Sequence, residues 1–210
     1  MGQSTFFWNM LAKRYSKQAI ADPHSYERKL EITRKYFTPE SEVLEVGCGT
    51  GSTALLHAPY VKHIDATDFA SKMIEIANGK LKDGNIDNVT FSVEAIDDLA
   101  NKQKLYDVVL ALNIIHLLED KAAALRDMNA RLKPGGYCIS STVCMELEAI
   151  PKFWFYLIKI LSVFNLAPRL QSLGEQQLLQ LVQDAGFTIV EQWKPDSKWA
   201  VVFLVAKKAG

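Results

Sequence analysis

Residues 43–51 read Val-Leu-Glu-Val-Gly-Cys-Gly-Thr-Gly, a short apolar strand running into three glycines at alternate positions. Glycines at a strand end let the backbone turn sharply and approach a ligand closely. In open α/β sheets that ligand lies beyond the carboxyl ends of the strands, where the strand order reverses. The rest of the chain supports such a sheet. Hydrophobic patterning predicts strands at 43–47, 61–67, 89–93, 106–112, 137–143, 187–193 and 199–206. Helices are predicted near 70–81, 120–132 and 175–184, with two more across 5–37 that break at Asp22-Pro23, where Asp22 is placed to cap the second. The run Val108–Leu112 is apolar throughout, as suits a strand buried on both faces. Gly186 is placed as a left-handed helix stop, and Pro195-Asp196-Ser197 joins the last two strands as a hairpin. The expected fold is α/β: a seven-stranded, mostly parallel sheet with helices on both faces and an antiparallel edge strand.

The loop chemistry narrows the ligand. A phosphate-binding P-loop ends in Gly-Lys-Ser/Thr, whereas Gly51 is followed by Ser52 and Thr53. A dinucleotide loop reads G-x-G-x-x-G/A, and counting from Gly47 its last position holds Ser52. Glu45, two places before Gly47, would repel a pyrophosphate and attract a cationic amine. The spacing therefore favours a nucleoside carrying a positive amino group.

The segment Glu45-Val46-Gly47-Cys48-Gly49-Thr50-Gly51 resembles motif I of class I S-adenosylmethionine-dependent methyltransferases of the small-molecule type, and the likeness continues in order through residues 40–206. It implies a Rossmann-like sheet, S-adenosyl-L-methionine as cofactor, and Gly47, Gly49 and Gly51 as its cradle. By the same likeness Asp68 accepts hydrogen bonds from both ribose hydroxyls, while Phe69 and Met73 lie against the adenine. Val89–Ala95 resembles the third-strand motif, which usually ends Gly-Asp-Ala; here Val93-Glu94-Ala95 stands instead, so Glu94 becomes the acceptor for the adenine amine. Tyr106–Asn113 with His116-Leu117-Leu118, Leu132–Gly136 and Asp184–Phe187 resemble the later motifs. Asn113 is expected near the methionine part through its backbone. Tyr15 either reaches the cofactor carboxylate, as in related N-terminal helices, or only packs its own helix. Asp68 as a helix cap and Glu94 as a solvated loop acid are the competing structural readings. Asp65, on the other face of its strand from Asp68, reads as structural.

His116 is the one catalytic candidate: it follows the fourth strand and titrates near neutrality, so it either serves as a general base or lines the site without proton transfer. The sequence says less about the methyl acceptor. Lys plus Arg and Asp plus Glu balance at 24 each, which gives no global pull on nucleic acid or anionic lipid. Asn113-Ile114-Ile115-His116 stands where amino-methylating nucleic-acid enzymes carry a Pro-Pro motif. A small acceptor is expected, with an RNA methyltransferase and a cofactor-binding partner or sensor without turnover as alternatives. The apolar segment 147–170, with Phe153–Leu161 at its centre, reads as a lid over an apolar or aromatic acceptor, as a core or dimer contact, or as a shallow membrane contact. Its apolar stretch, about 15 residues with Lys159 among them, is too short for a comfortable transmembrane span. The expected layout is a single domain: N-terminal helices 1–39, cofactor core 40–146, lid-like insertion 147–174, last helix and hairpin 175–210. Cys48, Cys138 and Cys144 lack metal or disulfide spacing and read as buried thiols, so no metal site is expected. With no secretory signal and no myristoylation motif after Gly2, a cytoplasmic monomer or homodimer is the expectation.

Overall fold

In the computed structural model, which describes residues 5–144, 172–196 and 200–209, the chain opens with α1 (Thr5–Ser16) and α2 (Pro23–Arg34). Asp22 caps α2 by accepting the Ser25 N–H at 3.0 Å, and Pro23 occupies the first turn, where a missing N–H is harmless. The alternating part follows as β1 (Glu42–Val46), α3 (Ser52–His57), β2 (His63–Asp68), α4 (Ser71–Asp83), β3 (Val89–Val93), β4 (Tyr106–Leu112), α5 (Lys121–Ala130) and β5 (Leu132–Val143). It ends with α6 (Glu175–Asp184), β6 (Phe187–Trp193) and β7 (Val201–Lys208).

The strands form one seven-stranded sheet in the order β3-β2-β1-β4-β5-β7-β6. β1 to β5 pair in parallel; β7 runs antiparallel to both β5 and β6. The antiparallel end of the sheet is therefore a hairpin folded back on itself, with β7 inserted beside β5 and β6 outermost. The order reverses between β1 and β4, which fixes the binding crevice at their carboxyl ends.

Alternation along the central strands builds two cores. Leu44, Val46, Val109 and Ala111 face α5 and α6 with Leu125, Met128, Leu178 and Val182. Val43, Ile64, Val108 and Leu110 face Ile32, Ala54, Ile74 and Ala77 of α2, α3 and α4. β4 contributes to both, which is why its sequence carries no polar alternation.

Several element bounds differ from the sequence expectation, β2 and β7 each starting two residues late. α4 runs two residues beyond the expected Leu81, and the turn falls on Gly84 and on Asn85 with φ 50°. β5 begins at Leu132 rather than Tyr137: Leu132 pairs with Tyr106 and Tyr137 with Val108, so Lys133–Gly136 bulges between them. Asp107 holds the bulge by accepting from Lys133 Nζ and from the Glu42 N–H, both at 2.8 Å. The short α3 starts directly after the glycines, with Gly51 at its N-cap. The 147–170 segment, Trp199 and part of the last hairpin turn lie outside the described residues. Among the described residues no helix is long and apolar enough to cross a membrane.

Candidate functional site

The bend after β1 is built on three left-handed glycines, Gly47 at φ 66°, Gly49 at 55° and Gly51 at 75°. Their surroundings differ. A Cβ on Gly51 would lie 2.5 Å from the Phe91 ring and 2.8 Å from the Ala77 Cβ, so this glycine lets β3 and α4 close on the loop. A Cβ on Gly47 would meet Ile114 at 2.9 Å. A Cβ on Gly49 would meet only the Tyr15 ring edge, at 3.6 Å, so Tyr15 stands over the loop from α1.

Two carboxylates flank the bend. Asp68, at the end of β2, accepts the Gly49 N–H and the Ala70 N–H, one on each oxygen and each at 2.9 Å. Each oxygen keeps a second lone pair for another donor. Burial raises the Asp68 pKa, and the two backbone donors oppose that rise. Glu45 is only 3% exposed, and its Oε2 has no partner among the described residues. Burial, then the Asp68 charge, pushes its carboxyl up to about 8. A buried, orphaned acceptor is expensive unless something donates to it. An ammonium group answers that need, so the residues present fit a nucleoside with a cationic amino-acid tail. Half-exposed Tyr15 belongs to the same field: burial, then Asp68, Tyr26 and Glu45, raise its hydroxyl pKa.

The adenine-side candidates already have partners in the fold. Glu94 accepts from Ser92 Oγ at 2.7 Å and pairs with Lys102 at 2.6 Å. Burial would raise its pKa, but the Lys102 and Ser92 hydrogen bonds outweigh that and hold the carboxyl below its ordinary range. The Ala95 N–H donates to Asp98 Oδ2 at 2.9 Å. Met73 is 2% exposed and packs with Ala12 and Ala70, so in this conformation it joins α4 to α1; Phe69 is half-buried. Asp65 is structural, as the alternation implies: it accepts from Lys104 Nζ at 2.8 Å and from the Tyr106 hydroxyl at 2.9 Å.

Beyond β4, Asn113 takes the left-handed conformation at φ 59° and donates its N–H to Ser141 O at 2.7 Å. His116 is half-buried, and its Nδ1 has no partner among the described residues. Burial, then the Lys121 charge, lowers its pKa to about 4. Such an imidazole is neutral near pH 7 and a weak base. The three cysteines are free and buried, and among the described residues no cluster could hold a metal ion.

The sequence reading missed a second set of polar groups. Lys80 of α4 donates to Thr50 O, Thr50 Oγ1 and Ser52 Oγ at 2.8–3.0 Å and so ties down the glycine loop. Lys29 of α2 donates to Ser141 Oγ at 2.8 Å, and the Tyr26 hydroxyl bonds Thr53 Oγ1 at 3.1 Å. Charged and aromatic residues on a helix give no local sign of partners 27 to 112 positions away.

With this geometry in hand, comparisons with known proteins agree. A family model described as a Methyltransferase domain matches residues 15–192. Malonyl-[acyl-carrier protein] O-methyltransferase 2 of Ilyobacter polytropus is 34% identical over 137 residues, covering 62% of this chain and 50% of that protein. Fumosorinone synthetase of Cordyceps fumosorosea is 33% identical over 117 residues, covering 52% of this chain. The chain spans 50% of the first relative's length and 3% of the second's. The N-methyltransferase NodS of Bradyrhizobium japonicum, solved with S-adenosyl-L-homocysteine, shares the fold at a TM-score of 0.71 and 17% identity, covering 97% of this chain and 100% of that one. The family match runs through the glycine loop, both flanking acids and the β4 end, and on that ground the chain belongs to the Methyltransferase domain family.

Proposed function

We propose that the chain binds S-adenosylmethionine across the β1–β2 end of the sheet and transfers its methyl group to a small acceptor with an apolar or aromatic body. One observation carries this reading: three left-handed glycines bend around two buried carboxylates, one of which has an orphaned oxygen. Family membership and the S-adenosylhomocysteine in the NodS structure support the choice of cofactor.

When bound, the cofactor supplies a methyl group already activated by its sulfonium. The protein has to hold both partners in line and exclude water. In this reading Asp68 accepts the ribose hydroxyls on its remaining lone pairs, and Glu45 faces the ammonium. Phe69 and Met73 line the adenine, and Glu94 and Ala95 its polar edge. Tyr15 and the Asn113 backbone hold the methionine part. His116 is a neutral neighbour of the acceptor and suits one that needs little help from a base. The apolar 147–170 sequence supports an apolar acceptor, and three free buried thiols suit a reducing, cytoplasmic setting.

Calorimetric titration with S-adenosylhomocysteine tests the cofactor assignment, and a screen of small acceptors for S-adenosylhomocysteine release tests turnover. Binding and turnover are expected. Preference for a nicotinamide dinucleotide would falsify the assignment; cofactor binding without turnover on any acceptor class would leave a sensor or partner role instead.

A further inference from the structure

On the β4–β5 side of the glycine loop, α2 and α3 enclose a cavity of about 50 Å³ against the sheet. Tyr26, Lys29, Thr53, His57, Asn113 and Ser141 are among the residues lining it. Three features set it apart from ordinary packing. The first is charge. Lys29 is half-buried, and its ammonium donates to Ser141 Oγ at 2.8 Å but forms no ion pair among the described residues. Burial lowers its pKa, opposed by the charge of Asp22 at the N-cap of α2, two turns away. The second is satisfaction. His57 is fully buried, and both its ring nitrogens lack a partner among the described residues. The third is position. The nucleoside acids Asp68 and Glu94 belong to the β2 and β3 ends, and the glycine loop follows β1. The cavity lies past the reversal point, at Leu112 and Asn113 of the β4 end and Ser141 of β5. A ligand laid along β3, β2 and β1 would present its reactive end toward this side.

We propose that the Lys29 ammonium, held by Ser141 and backed by Tyr26 and His57, is the docking point for a carboxylate-type oxyanion carried by the methyl acceptor. This rests on the methyltransferase reading above and adds a charge requirement to its acceptor. The cavity has room for a head group rather than a whole molecule, so the body of the acceptor extends outward past exposed Asn113. A half-buried ammonium without a counter-ion attracts an anion strongly, because water screens it poorly. His57, neutral with a pKa held down to about 3 by burial and then by Arg34, can donate one ring N–H without adding charge.

The test is calorimetry on the full chain with benzoate and its uncharged isostere benzamide, with and without saturating S-adenosylhomocysteine. Wild type should prefer benzoate by about tenfold. Lys29→Met should erase that preference, Lys29→Arg should restore benzoate binding to within about threefold, and S-adenosylhomocysteine affinity and thermal midpoint should hold in both. Equal binding of the two probes to wild type, or unchanged benzoate binding by Lys29→Met, overturns the proposal. So does a loss of S-adenosylhomocysteine affinity in Lys29→Met with its thermal midpoint intact, because the ammonium would then serve the cofactor's own carboxylate. If Lys29→Met does not fold, Lys29→Gln takes its place with the same criteria. A wild type that prefers benzoate but binds no S-adenosylhomocysteine sinks the methyltransferase reading and leaves the anion site standing.

Discussion

The β1–β2 end and the β4–β5 end of the sheet solve the same problem, holding polar groups away from water, in opposite ways. At β1–β2 the polar atoms are largely tied to one another: Asp68 to two backbone N–H groups, the loop to Lys80, and Glu94 to Ser92 and Lys102. Among the described residues, the buried side-chain oxygen left over at this end is Glu45 Oε2. At β4–β5 the polar atoms face a cavity: among the described residues Lys29 has a hydroxyl but no counter-ion, and neither ring nitrogen of His57 has a hydrogen-bond partner. The first end satisfies most of its polar atoms internally, and the second leaves a cation and an imidazole that no described residue satisfies.

The largest test of this contrast is steric. Gly51→Ala forces a left-handed alanine against Phe91 and Ala77 and should destabilise the fold by about 3 kcal/mol. Gly49→Ala meets only Tyr15 and should cost about 1 kcal/mol, the strain alone; urea denaturation separates them. If the two cost the same, the loop is not built as described.

Next comes Asp68→Ala, which strands the Gly49 and Ala70 N–H groups and should weaken S-adenosylhomocysteine binding by about a hundredfold in calorimetry. An effect under threefold would remove Asp68 from the cofactor site.

Glu45 should couple binding to protons. Its folded pKa lies above its unfolded one, so its stability contribution is full below pH 4.5 and is lost as pH rises toward 8. An ammonium bound beside it favours the carboxylate, so cofactor binding should release a proton between about pH 5 and 8, with affinity rising by up to about tenfold per pH unit. Glu45→Gln should abolish that release, read as a loss of buffer dependence in the binding enthalpy.

His57 has the opposite sign. Its folded pKa is depressed, so its contribution is full above pH 6.5 and is lost as pH falls toward 3. Acid denaturation should steepen over that window by up to about 1.4 kcal/mol per pH unit, and His57→Phe should flatten it. The smallest effect belongs to Lys80→Met, which frees the loop from α4 and should lower cofactor affinity by about threefold.

What was legible in the sequence had a local cause. Gly47, Gly49 and Gly51 could be read because left-handed backbone admits few other residues. β4 could be read because burial on both faces removes polar alternation, and Asp22-Pro23 because a cap and a fixed φ act within one turn. Asp65 could be separated from Asp68 because strand side chains alternate. These features determine an α/β sheet with its crevice beyond β1. Lys29 meeting Ser141, Lys80 reaching back to Thr50, the insertion of β7 between β5 and β6, and the burial that moves Glu45 and His116 in opposite directions were decided by tertiary structure alone. Each depends on which distant segments share a space and on how much water that space admits, and no stretch of neighbouring residues encodes either.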